Sequence, residues 1–123
     1  MMPLRRFALP LLLAPLLPTD PAIAQGPMQA VEIRPAARSV MDGQRQEFYL
    51  RFDRPVDHNR SRLEVVQDSR VVRTLQPRLQ AQPNVLFATT GGLPAGSYTL
   101  RWFARGQSPE DSNEGSLDFS VGR

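Results

Sequence analysis

Leu93-Pro94-Ala95-Gly96-Ser97-Tyr98-Thr99-Leu100-Arg101-Trp102 is the stretch that decides the fold. A tight Pro/Gly turn runs straight into a strand whose Tyr98, Leu100 and Trp102 fall on one face, the two-residue period of a half-buried strand. Tyr98 follows Gly96 by two residues, just as the strand begins. That is the placement of a tyrosine corner, in which the hydroxyl bonds back to nearby backbone in Greek-key sandwiches. Trp102 shares the face of Tyr98 and Leu100, which predicts core burial by area. A polar stretch from Gly106 to Asn113 follows and reads as a surface loop. Gly115-Ser116-Leu117-Asp118-Phe119-Ser120-Val121 then alternates again, with Leu117, Phe119 and Val121 inward. The two strands predict the closing hairpin of a small immunoglobulin-like sandwich.

Working outward, the same period recurs. Glu47 to Asp53 alternates cleanly, with Phe48, Leu50 and Phe52 on one side and Tyr49, Arg51 and Asp53 on the other. Met28 to Arg34 is a short first strand stopped by Pro35. Arg62–Val66 and Arg70–Leu75 flank Gln67-Asp68-Ser69, a hairpin turn. Asn84–Ala88 is a short apolar strand, and Gly91–Gly96 is a turn cluster. No window sustains a helical period. About seven strands at regular spacing predict an all-β, immunoglobulin-like Greek-key β-sandwich.

The chain opens with the features of an export signal: basic Arg5 and Arg6, an apolar run from Phe7 to Leu17, and the small-x-small box Ala22-Ile23-Ala24. The apolar run is about half of the roughly 20 residues a membrane span needs. The reading is therefore a signal peptide over 1–24 and one domain over 25–123, which leaves 99 of 123 residues in the mature chain. That mature chain is expected to be periplasmic, soluble and not membrane-spanning. Cysteine is absent, so no disulfide staples the domain and no lipid-bearing cysteine anchors it. All fifteen basic residues are arginine. Arg5, Arg6 and Asp20 fall in the leader, and the remaining charges sum to about +2. No basic stripe is interleaved with aromatics, which argues against nucleic acid.

The chemistry-bearing residues are few. His58 is the single histidine and lies in the polar loop Asp53-Arg54-Pro55-Val56-Asp57-His58-Asn59-Arg60. No serine sits on a Gly-x-Ser-x-Gly elbow, so nucleophilic catalysis has no support and the chain is not read as an enzyme. Glu110, Asp111 and Glu114 gather oxygen ligands of the kind a hard cation takes, or form a solvated acidic loop. One histidine without cysteine does not make a zinc site.

Four motifs in order resemble the CopC copper-resistance domains. Ala30–Pro35 matches an early segment of that family. Leu50-Arg51-Phe52-Asp53-Arg54-Pro55-Val56 matches its Leu-x-Phe-Ser-x-Pro-Val strand. Leu93–Trp102 matches Leu-Pro-x-Gly-x-Tyr-x-Val-x-Trp, and Gly115–Val121 matches the closing Gly-x-Phe-x-Phe-x-Val. The resemblance spans nearly all of the mature chain. It implies an exported seven-stranded sandwich and copper as the metal. In the family, copper(II) is held by an N-terminal histidine with its amine and by an Asp-x-His-Pro stretch before the last strand, donors that suit the ion's tetragonal preference. Here the N-terminal histidine position falls near Pro27. Asp111 takes the place of the aspartate, and Asn113 or a deletion takes that of the following histidine. Met28 and Met41 are the mature chain's only methionines, too few for the methionine-rich copper(I) loop of some members.

The metal candidates are thus Asp111, His58, Glu110 and Glu114. Two functions follow. One is a copper-homeostasis protein that binds or carries copper and delivers it to a copper-transporting inner-membrane protein. The other is a metal-free protein-interaction module that presents an edge strand or the Gly106–Asn113 loop to a membrane partner.

Overall fold

A computed structural model describes residues 26–42 and 44–122. The leader assigned to 1–24 lies outside the described residues, as does Gln25. The strands are β1 (Ala30–Arg34), β2 (Val40–Met41), β3 (Arg45–Phe52), β4 (Arg62–Gln67), β5 (Arg70–Leu75), β6 (Val85–Gly91), β7 (Gly96–Arg105) and β8 (Ser112–Val121). They form a three-stranded sheet, β1-β3-β6, and a five-stranded sheet, β2-β8-β7-β4-β5. Every pair is antiparallel except β2 with β8.

Alternation explains how the two sheets face one another. Phe48, Leu50 and Phe52 of β3 are completely buried and meet Leu63 and Val65 of β4, Leu86 and Ala88 of β6, Leu100 and Trp102 of β7, and Phe119 of β8 in one core. Removing each large apolar side chain from water contributes about 1.5–3 kcal/mol. Phe119 packs edge-on to Phe48 at 5.5 Å and stacks on Tyr98 at 5.6 Å. The Tyr98 hydroxyl donates to the Pro94 carbonyl, so the tyrosine corner is formed as expected. Gln46 is polar yet fully buried. Its amide oxygen accepts from Leu93 N–H at 3.2 Å and ties β3 to the turn before β7.

The hairpin between β4 and β5 turns through Asp68 and Ser69, both at positive φ (53° and 67°). Two consecutive left-handed residues match the twist of the flanking strands, and Asp tolerates that region because its short side chain bonds locally.

The expected all-β sandwich of about seven strands is present, with eight strands among the described residues because the two-residue β2 runs beside β8. One expectation is corrected: the polar loop is shorter than Gly106–Asn113. The β7–β8 ladder continues through Phe103↔Glu114 and Ala104↔Asn113 to Arg105↔Ser112. Ser112, Asn113 and Glu114 lack apolar alternation, but the backbone pairs regardless of the side chains it carries.

Candidate metal centre

Three segments meet at one end of the sandwich: residues 26–29, the connection after β3, and the β7–β8 turn. Backbone bonds join them. Asp53 N–H donates to the Gln29 carbonyl at 2.9 Å, and Gln29 N–H returns to Asp53 Oδ1 at 3.1 Å. Val56 bridges to Gly106, and Asp57 N–H donates to the Arg105 carbonyl at 2.7 Å. Within the turn, Gly106 N–H donates to the Asp111 carbonyl at 2.8 Å. The Asp111 β-carbon lies where a side chain at Gly106 would have to stand, so glycine is what lets the turn close this tightly.

Arg54 occupies the middle of this end. Its Nε is 3.1 Å from Asp53 Oδ1 and its Nη1 is 3.0 Å from Asp111 Oδ1. Nη2 donates to the Pro27 carbonyl at 3.4 Å. The Arg54 and Asp111 side chains are only 16% and 20% exposed. Burial works against the Arg54 charge, but the hydrogen bonds to Asp53 and Asp111 outweigh it and raise its pKa.

Asn113 lies beside this cluster on the inward face of β8. Trp102 Nε1–H donates to its Oδ1 at 2.8 Å, and its Nδ2–H donates to the Met28 carbonyl at 2.9 Å. The Trp102 ring lies against Gly115, where a β-carbon would strike it. One amide therefore satisfies a buried indole N–H and fastens the N-terminal segment to the core.

The other candidates lie apart. Glu114 pairs across the ladder with Phe103, on the face opposite to that of Asn113, and its Oε2 is 4.0 Å from Arg105 Nη1. Glu110 is exposed on the turn. His58 stands on the turn after β3, and its carbonyl accepts from Gln76 Nε2. The neighbouring Asp57 is bound by Arg60, whose Nε lies 2.8 Å from Asp57 Oδ2. That hydrogen bond, partly opposed by desolvation and aided by the Asn59 and Arg60 N–H groups, lowers the Asp57 pKa. Arg60 also reaches the Gly106 carbonyl at 2.9 Å, so the turn after β3 and the β7–β8 turn are held together.

This donor set does not suit copper(II). Among the described residues, no group of three or more His, Cys, Asp or Glu side chains could hold a metal ion. Asp111 is engaged by a guanidinium, and the Asn113 amide is engaged on both sides. Arg54 and Asp53 were not expected from the sequence as parts of this site. They sit at the Ser-x positions of the Leu-x-Phe-Ser-x-Pro-Val motif, and Arg54 meets a partner 57 residues away. A charged pair in place of Ser-x was the available signal.

A family model described as the CopC domain matches residues 30–122. Among solved structures, the chain is similar to CopC from Methylosinus trichosporium OB3b, with 23% identity, a TM-score of 0.68, and coverage of 76% of this chain and 92% of that one. It is also similar to an engineered protein, with 21% identity, a TM-score of 0.57, and coverage of 77% of this chain and 20% of that one. At these identities the structural likeness speaks to the fold. No curated protein matches the chain. The family model covers the strands of both sheets, and the chain belongs to the CopC domain family.

Proposed function

We propose that this member of a copper-resistance family is an exported, periplasmic copper-homeostasis protein that works without a copper(II) centre at the Asp111 end. It acts as a protein-binding sandwich, with a copper-transporting inner-membrane protein as its partner. The observation that carries this reading is the engagement of Asp111 by Arg54 at 3.0 Å. Copper(II) favours nitrogen donors in a tetragonal plane. Here the Asp111 carboxylate is paired with Arg54, and Asn113 Oδ1, the atom through which an amide would ligate, already accepts from the Trp102 indole, so both compete against a cation. Among the described residues no pairing of nucleophile and base offers support for catalysis.

A second reading keeps copper as cargo, bound at a site rebuilt around His58. It is favoured by the position of His58 on the turn whose Asp57 bonds back to β7. Calorimetric titration of the mature chain with copper(II) separates the two. The first reading predicts weak, non-stoichiometric binding. One-to-one binding at nanomolar Kd, lost in His58→Ala, overturns it in favour of the second.

A further inference from the structure

We propose that the Arg54 guanidinium is a built-in cation that closes this end of the sandwich in place of a metal ion. The inference rests on the metal-free reading above and deepens it. One planar cation touches all three segments of the site. Its fork engages Asp53 through Nε at 3.1 Å and Nη2 at 3.4 Å. It reaches Asp111 through Nη1 at 3.0 Å and the Pro27 carbonyl through Nη2 at 3.4 Å. Two carboxylates and one carbonyl around a positive charge are a hard-cation donor set, here filled by a side chain. A guanidinium suits the role because its donors diverge in a fixed plane, whereas an ammonium is a compact point charge.

The surroundings are shaped to present Asp111 to Arg54. Gly106 leaves room for the Asp111 β-carbon, and the Gly106 and Asp111 backbone bonds hold the turn that carries the carboxylate. Asp53 is fixed from the other side by Gln29 N–H. Without Arg54, the Asp53 and Asp111 carboxyl groups would be left with no cation between them, and the link to Pro27 would be lost. The consequence is a domain whose N-terminal segment is docked whether or not copper is present, and whose stability does not answer to metal.

Thermal melting of the full mature chain tests this, using calcium as the hard-cation probe and copper(II) as the family metal. The parent melts at the same temperature with and without either ion. Arg54→Ala melts several degrees lower, and millimolar calcium restores part of the loss. Arg54→Ala combined with Asp111→Asn melts low and no longer responds to calcium. Arg54→Lys falls between parent and Arg54→Ala. Asp111→Asn alone, which keeps Arg54, melts below the parent without calcium dependence and keeps the test open should Arg54→Ala fail to fold. Arg54→Ala melting as the parent does, or a low-melting Arg54→Ala indifferent to calcium, overturns the built-in cation. A copper-dependent rise in the parent instead overturns the metal-free reading, so the two failures are distinguishable.

Discussion

Replacing Asn113 with alanine removes two hydrogen bonds from one residue, and their environments set the cost. Trp102 is 6% exposed, so its indole N–H loses its 2.8 Å partner where water does not readily replace it. An orphaned buried donor costs about 1–3 kcal/mol. The Met28 carbonyl loses a 2.9 Å bond, worth about 1 kcal/mol. The expected loss is about 2–4 kcal/mol. At about 4–8 °C per kcal/mol for a domain of this size, Tm falls by roughly 8–32 °C. Denaturant unfolding measures the free energy directly. A cycle with Trp102→Phe identifies the cause. That variant has no N–H to orphan, so Asn113→Ala on its background costs only the Met28 link, and the two changes couple by about 1–3 kcal/mol. Amide exchange at Gln29 and Asp53 reads the second bond, because the residues 26–29 segment should open more often in Asn113→Ala. A loss under about 0.5 kcal/mol, or an additive cycle, would refute the view that Asn113 is a structural fastener.

Tyr98→Phe removes the hydroxyl bond to Pro94 and should cost about 1 kcal/mol with the fold retained, measured by the same denaturant titration. Gly115→Ala sets a methyl group against the Trp102 ring and should cost about 1–3 kcal/mol through overpacking. A melt coinciding with the parent's would contradict the contact. On the outer face of the five-stranded sheet, Glu64 bonds Arg101 at 2.7 Å and Arg62 at 3.1 Å. The Arg101 hydrogen bond, opposed by burial and aided by Arg62, holds its carboxyl below the ordinary value of 4.5. Its contribution to stability is therefore full above about pH 4.5 and is lost as pH falls through the lowered folded value. Glu64→Gln should melt with a shallower decline below that pH than the parent, as a series of melts from pH 7 to pH 3 would record.

The parts of the fold that were legible share one property: the side chains repeat the backbone's period. β3 shows this in Phe48, Leu50 and Phe52, and β7 in Tyr98, Leu100 and Trp102, so their inward faces followed from alternation alone. β2 had no such pattern. It is two residues long, Val40 is 70% exposed, and it exists because its backbone pairs with Ser120 and Val121. The start of β8 was hidden for a related reason. Ser112, Asn113 and Glu114 are polar, and only their opposition to Arg105, Ala104 and Phe103 makes them strand. At the site, the loss of the family's histidine, replaced by Asn113 or deleted, was visible from the motif, but the two partners of Asn113 were not. Trp102 comes from β7 and Met28 from 85 residues away. Arg54 was the least legible of all. It reads locally as one charge in a polar loop, and its role depends on Asp111 arriving from the far end of the chain.

Whether copper enters the Asp111 end decides whether the metal-free reading of this domain stands. Titrating the nitrogen-15-labelled mature chain with copper(II) and following paramagnetic broadening residue by residue reads this directly. At one equivalent, the Trp102 indole N–H, the Asn113 side-chain amide and the Arg54 Nε–H are expected to keep their intensity. Stoichiometric, selective loss of those three signals would place copper at this end and contradict the metal-free reading.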